Sequence, residues 1–132
     1  MANVYEYDMI DRSPTMAVTA GAKITGAPCK AVKLSGGKAV LPAAGEAPVG
    51  ILLLSSEETL EAGDMAAVQL MDRGRWKAGG SFTAGDLLAA DAEGLCQKAA
   101  SGQYMYARAL SDAVKGDLAR VQIINAGYMT GE

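Results

Sequence analysis

Hydrophobic and polar residues alternate over short distances along this chain, and glycine or proline interrupts the alternation repeatedly. Within residues 31–34 and 118–123 the larger apolar side chains occupy every second position, which is the period of a strand with one buried face. The 16 Gly and 4 Pro leave few stretches that are long enough for a helix. The pattern predicts ten strands, at residues 16–20, 29–34, 38–41, 49–54, 65–71, 75–77, 87–91, 95–98, 104–109 and 118–124.

Three connections between these strands contain glycine where a hairpin needs a positive φ, at residues 35–37, 72–74 and 92–94. Alanine, the best helix former, favours an alternative in one place, a short helix over residues 86–92 that is capped by Asp86. Ser55 and Glu58 have the spacing of a capping box, so we expect a short helical turn or a loop there. Strands joined by tight turns remain the main prediction.

An internal repeat organises the strands. Residues 61–70 read EAGDMAAVQL and residues 114–123 read VKGDLARVQI, so Gly-Asp is followed by Val-Gln at the same distance in both. A third pair, Gly85-Asp86, opens a second half as Ala20-Gly21 opens the first, and the halves span about residues 20–71 and 84–124. The sequence therefore predicts an all-β fold, a small compact antiparallel β-barrel or sandwich built from two similar halves over residues 16–125.

The two ends of the chain differ from this domain. Residues 1–15 alternate apolar and charged side chains with no turn to pair them back, which predicts an extended N-terminal arm. Aromatic and Met side chains are favoured at interfaces, although an ordinary first strand packed on its own core is an equal alternative. We expect residues 126–132 to form a flexible C-terminal tail. The arm residues predicted to contact a partner or another copy are Val4, Tyr5, Tyr7, Met9 and Ile10.

Composition indicates a thin hydrophobic core. Half of the 132 residues are hydrophobic, but 25 of them are Ala. Small side chains contribute little, because burial stabilises by roughly 25 cal/mol per Å² of apolar surface. We therefore expect self-association to supply part of the stability.

Charge disfavours several kinds of partner. The 12 basic and 15 acidic residues give a net charge of -3, which repels a phosphate backbone, so we expect no nucleic-acid partner. No apolar run approaches the roughly 18 residues of a membrane span, and the N-terminus has no secretory pattern. These features predict an untargeted protein in a reducing cytosol. There Cys29 and Cys96 are expected to be reduced and semi-buried, although their spacing leaves a disulfide open.

The sequence contains few groups of residues of the kind that form catalytic or metal-binding sites. The absence of His removes the commonest general base and metal ligand. Asp64, Asp86 and Asp117 each follow a Gly and are expected to accept hydrogen bonds in turns. We therefore predict no enzyme, no metal and no cofactor.

Trp76 lies in the only basic and aromatic cluster, with Arg73, Arg75 and Lys77, which is interpreted as a hairpin end. Its side chain is expected either beneath the domain's core or at a subunit contact. A second hypothesis assigns Trp76, Tyr104 and Tyr106 to the stacking platform of a small carbohydrate-binding β-barrel module.

The order of the motifs resembles that of a known family. The motifs are Ala20-Gly21-Ala22, Pro48-Val49-Gly50-Ile51-Leu52-Leu53, Glu61-Ala62-Gly63-Asp64, the stretch TAGDLLAADAEG at residues 83–94, Tyr106-Ala107-Arg108-Ala109-Leu110 and Gly116-Asp117-Leu118-Ala119-Arg120-Val121. Over residues 20–124 they resemble tailed-bacteriophage capsid decoration proteins, also called head decoration or capsid cement proteins.

The resemblance implies a compact β-rich domain, often trimeric, that docks on the outside of an assembled phage capsid and clamps adjacent major capsid subunits. The expected partners are the major capsid protein and further copies of this chain as a homotrimer, with no nucleic acid and no membrane. The expected location is the capsid exterior of the virion, after synthesis in the cytoplasm of the bacterial host. The N-terminal arm and Trp76 are the predicted capsid or subunit interface.

Overall fold

The computed structural model describes residues 14–130, and every regular element in that range is a β-strand. The strands are β1 (Thr15–Thr19), β2 (Ile24–Thr25), β3 (Ala31–Ser35), β4 (Lys38–Val40), β5 (Gly50–Leu52), β6 (Thr59–Leu60), β7 (Met65–Gln69), β8 (Arg73–Lys77), β9 (Leu87–Ala90), β10 (Cys96–Lys98), β11 (Tyr104–Ala109) and β12 (Leu118–Tyr128).

The prediction of ten strands is confirmed, because each predicted segment overlaps a different one of these strands. The short strands β2 and β6 were not predicted. The helix considered for residues 86–92 is wrong, because Leu88, Ala89 and Ala90 are all buried within strand β9. Residues 55–58 form no helix, and the N–H of Ser56 closes a single turn on the carbonyl of Leu53 at 3.0 Å.

Two five-stranded antiparallel sheets share one topology. The first has the order β1-β7-β5-β3-β4, and the second has the order β8-β12-β11-β9-β10. A small third sheet pairs β2 with β6. The expected all-β fold with two similar halves is therefore confirmed. Of the two architectures expected, the chain adopts the sandwich-like one, since neither five-stranded sheet closes on itself.

The structure corrects the alignment of the halves. The repeated decapeptides contain β7 and β12, which hold the same place in their sheets. The second half, however, begins at β8 rather than near residue 84. The counterpart of Gly21, whose N–H donates to Ala39 at 2.8 Å, is Gly79, whose N–H donates to Cys96 at 2.7 Å. The sequence had matched Gly21 with Gly85, because Gly85 stands in the more recognisable Gly-Asp pair.

Two of the three predicted hairpins are present. Gly36 and Gly37, with φ of 59° and 79°, form the two-residue turn between β3 and β4. Residues 92–94 connect β9 to its neighbour β10. The third prediction is wrong, because residues 70–72 carry the chain from β7 in the first sheet to β8 in the second, and Gly74 already lies within β8. The side-chain amide of Gln69 holds this crossing by donating to the carbonyls of Met71 and Arg73, at 2.8 and 2.6 Å.

The Gly-Asp pairs form three copies of one turn. In the copy before β12, the carboxylate of Asp117 accepts from the N–H of Val114 at 3.0 Å, and the N–H of Asp117 donates to the carbonyl of Val114 at 3.0 Å. Gly116 between them has a φ of 95°. Asp64 and Asp86 make the same two bonds, to Glu61 and Thr83. The expected turn role of these carboxylates is thus confirmed.

The core is thin, as the composition predicts: 13 of the 28 buried hydrophobic residues are Ala. Trp76 and Tyr106 are the largest fully buried side chains. Their rings meet edge to face with centroids 5.6 Å apart. Ala31 and Ile51 of the first sheet belong to this same cluster, so the two halves share one part of the core.

The C-terminal prediction needs correction. Residues 126–128 belong to β12, which pairs with β11 as far as Tyr128, and the N–H of Met129 donates to Gln103 at 2.8 Å. The stretch lacks a strand-like pattern because Asn125 and Gly127 have positive φ, where the register between β11 and β12 shifts. The predicted N-terminal arm falls largely on residues 1–13, outside the described residues.

Candidate interface surfaces

Asp91, which stands close to Glu93 in the sequence, serves as a turn acceptor. Asp91 Oδ1 accepts from the N–H groups of Glu93 and Leu95, at 2.9 and 3.0 Å, and so shapes the hairpin between β9 and β10. Glu57 and Glu58 are exposed in a connection between strands. Among residues 14–130 no polar or charged side chain is fully buried. Asp91 therefore holds the backbone of its turn in place.

Glu46 has a perturbed acidity for a structural reason. The N–H of Ala43 donates to its carboxylate at 2.8 Å, and Lys33 lies 3.0 Å away. The backbone hydrogen bond first, and the lysine second, lower the pKa of Glu46, because both favour the charged form. The carboxylate is thus held ionised in a further turn of the same kind, which has Gly45 with a φ of 76° at its third position.

Cys29 and Cys96 are free and buried, as expected for reduced thiols. Burial raises the pKa of Cys29, although the positive charges of Lys77 and Arg75 oppose it. Burial also raises the pKa of Cys96, well beyond the ordinary range of a thiol. A thiolate nucleophile is disfavoured at both positions.

The aromatic residues do not form a stacking platform. Trp76 and Tyr106 are both 0% exposed. The Trp76 indole N–H donates to the carbonyl of Gly94 at 2.9 Å, and the Tyr106 hydroxyl donates to the carbonyl of Val49 at 3.3 Å. Tyr104 packs edge to face against Tyr128 at 5.1 Å. The arrangement contradicts the carbohydrate-module hypothesis, because two of its three rings cannot reach a ligand.

The predicted interface residues fall in two places. Val4, Tyr5, Tyr7, Met9 and Ile10 lie outside the described residues. Trp76 occupies the core, which is the first of the two positions that the sequence left open. Its large apolar ring is fully buried within the chain, so its side chain has no surface to offer to a partner.

The described surface exposes large apolar side chains that sequence reasoning did not single out. Met65 is 67% exposed, and Tyr128 and Leu54 are each 59% exposed. Exposed groups of this size are typical of contact surfaces when they cluster. The full set is Leu34, Leu54, Met65, Met71, Leu110, Val114, Leu118 and Tyr128.

Four arginines lie together on the outward side of the second sheet. Arg120 on β12 is directly opposite Arg75 on β8, and Gln122 on β12 is directly opposite both Arg73 on β8 and Arg108 on β11. Opposed residues in a sheet point to the same side, and all four arginines are exposed. We call this surface the arginine face; it consists of Arg73, Arg75, Arg108 and Arg120.

An open groove of about 920 Å³ runs along the arginine face. Met71, Asp72 and Leu110 line it beside three of the arginines. The sequence had linked Arg73 and Arg75 to a hairpin end and had not connected Arg108 and Arg120 with them. Only the strand register could have made that connection.

The described part of the chain offers little for other kinds of ligand. Within residues 14–130 no group of three or more Cys, Asp or Glu side chains could hold a metal ion. No helix in the described range could span a membrane.

The chain matches a known protein in its three-dimensional structure. Neither a protein-family model nor a curated protein matches the chain. Among solved structures, the chain is similar to the N base of head fiber gp8.5 in bacteriophage phi29, with a TM-score of 0.69 and 16% sequence identity. The match covers 86% of this chain and 95% of the other. In fold, therefore, the chain is similar to the base domain of a phage head fiber.

Proposed function

We propose that this chain is a structural protein of a bacteriophage virion, which binds the outer surface of the assembled capsid and bridges neighbouring major capsid subunits. The observation that carries the proposal is the fold shared with the phi29 head fiber base over 86% of the chain. The resemblance to capsid decoration proteins, which rests on the order of the six motifs between residues 20 and 121, supports it independently.

A structural role is consistent with the chemistry of the described surface. Carboxylates accept hydrogen bonds in turns, and both thiols are buried, so no reactive group is presented. Exposed Met, Leu and Val side chains supply apolar contact area instead. A protein that binds only the assembled shell stabilises it by mass action, without turnover.

Self-association belongs to the same proposal. A core in which 13 of 28 buried hydrophobic residues are Ala gains from contact with further copies. A homotrimer that engages several capsid subunits at once binds by avidity, so each single contact can be weak. The predicted arm, with Val4, Tyr5, Tyr7, Met9 and Ile10, is proposed to reach the shell or a neighbouring copy.

Co-sedimentation tests the proposal. The purified chain is mixed with empty shells assembled from the major capsid protein encoded in the same genome, with unassembled capsid subunits as the control. We expect it to pellet with shells, to remain in solution with subunits, and to raise the temperature at which the shells fall apart. Failure to pellet with shells at micromolar concentration would contradict the proposal.

The oligomeric state and the arm are tested separately. Sedimentation equilibrium should give three times the chain mass of 13.5 kDa. Deletion of residues 2–13 should weaken shell binding or reduce the oligomer mass. An unchanged result in both measurements contradicts a role for the arm.

A further inference from the structure

The internal duplication provides a comparison for the arginine face. The paired strands β1 and β7 occupy the places of β8 and β12. In the first sheet Ala17 is directly opposite Ala67, and in the second sheet Arg75 is opposite Arg120 at the matching positions. Because the same strand pair forms with two alanines, the fold itself does not require the two arginines.

The arginine pair carries an electrostatic cost in the free chain. Like charges directly opposite each other on one side of a sheet are destabilising. The only ion pairs among the described residues join Lys23 to Glu61 and Lys33 to Glu46, so none of them neutralises an arginine. Arg75 donates to the Leu118 carbonyl at 3.0 Å, which satisfies one of its donors but removes no charge.

The composition of the surface favours a protein partner. Met71 and Leu110 share the groove with the arginines, and Arg and Met are both enriched at protein–protein interfaces. Arginine binds carboxylates through two parallel hydrogen bonds, which gives both strength and orientation. A nucleic acid fits less well, because the whole chain carries a net charge of -3 and Asp72 lies at the groove.

We propose that the arginine face docks on a carboxylate-rich protein surface. This inference deepens the proposed function and rests on it in one respect, since the outer surface of the capsid is taken to be that acidic partner. The apolar side chains in the groove add contact area, and the arginines set the orientation. The proposed docking contact is thus the outward side of β8 and β12, where the matching strands of the first sheet carry alanines in place of Arg75 and Arg120.

The test compares two double variants of equal charge. Arg75→Ala/Arg120→Ala places in the second sheet the Ala pair that the first sheet already has. Lys38→Ala/Lys115→Ala removes two exposed positive charges elsewhere on the chain. Binding of the wild type and both variants is measured to the assembled shells, to fluorescent poly-L-glutamate and to duplex DNA. Thermal unfolding of each free protein is recorded in parallel.

We expect the arginine variant to bind shells at least ~tenfold more weakly, as is common for central interface residues. The lysine variant should bind like the wild type, and added salt should weaken wild-type binding. The arginine variant should melt at or above the wild-type temperature, which separates loss of contact from unfolding. Equal binding of shells by both variants overturns the inference and leaves the proposed function intact.

If the wild type itself does not bind shells, the proposed function fails. Binding to poly-L-glutamate then tests whether the arginine face recognises carboxylates. Weaker binding of poly-L-glutamate by the arginine variant alone supports an acidic partner other than the capsid. If the wild type does not bind poly-L-glutamate, or if both variants bind it equally well, the inference about the arginine face is overturned. DNA bound more tightly than poly-L-glutamate also overturns it, in favour of a nucleic-acid ligand.

Discussion

Gly116 offers a clean test of how the repeated turns stabilise the fold. Its φ is 95°, and a Cβ built on it meets no atom within 4 Å. Gly63 has a φ of 96° and the same open surroundings. Substitution by Ala at these positions therefore introduces backbone strain and no steric clash, so the measured effect reports the conformational cost alone.

The expected cost of Gly116→Ala is about 1–2 kcal/mol, because an L-residue is unfavourable by about that amount at positive φ. For a chain of this length that corresponds to a fall in Tm of roughly 3–10 °C. Gly63 lies in the turn before β7, in the other sheet, so the double variant Gly63→Ala/Gly116→Ala should lose about 2–4 kcal/mol by addition.

Gly80 provides the matched control. A Cβ there also meets nothing within 4 Å, but its φ lies outside the range that disfavours an L-residue. Gly80→Ala should leave stability unchanged or raise it by up to about 1 kcal/mol through the unfolded state. Urea unfolding followed by the fluorescence of the single tryptophan measures all variants. Equal stability of Gly116→Ala and Gly80→Ala would refute the strain argument.

Three further predictions concern the core, the thiols and one acid. Trp76→Phe should cost about 2 kcal/mol in urea unfolding followed by circular dichroism, since it loses the indole bond to Gly94 and leaves a void; an unchanged midpoint contradicts it. Cys29 and Cys96 should resist a thiol-disulfide reagent in the folded chain and both react after denaturation, because burial raises their pKa; fast reaction at neutral pH contradicts this. Glu46→Gln should lower stability at neutral pH only: the folded pKa of Glu46 lies below its unfolded value near 4.3, so its contribution is present above that value and is lost as the pH falls through the folded pKa. A stability difference that persists at acid pH contradicts the charge effect.

The strands were predictable because their signals are local. Alternation of side chains and glycine turns marks each segment, as in residues 118–123 of β12, where Ala119, Val121 and Ile123 are buried and the residues between them are exposed. The short strands β2 and β6 lack this signal, since two residues cannot show a period. Their pairing arises from the packing of the two segments against one core.

The crossing at residues 70–72 shows where local signals fail. Gly74, which suggested a hairpin turn, lies within β8 and has no positive φ, and whether a turn joins neighbouring strands or two sheets depends on which strand the next segment meets. Asp72 itself takes a φ of 72°, with no glycine to mark it. Likewise Cys29, with a φ of 66°, stands where the second half has Gly85, so the turn at residues 27–30 has no glycine to mark it.

The arginine face could not be recognised from the sequence, because its members lie far apart along the chain. Arg73 and Arg120 come 47 residues apart and meet on one side of a sheet only through the register of β8 and β12. The charge count even pointed away from a basic surface, because a net charge of -3 says nothing about where the charges lie. Register, and not composition, reveals this surface.

The duplication separates what the fold requires from what the surface adds. At the matching inward positions of β7 and β12, Val68 and Val121 are both fully buried, since both sheets need the same apolar contact there. At the adjacent outward positions, Ala67 and Arg120 differ in size and charge, although the strands pair in the same register. Because both halves have one topology, residues at matching positions of the two sheets can be compared directly. Where the inward residue is the same in both halves and the outward residue is charged in only one, strand pairing does not require the charge, which is consistent with the proposed contact with an acidic partner.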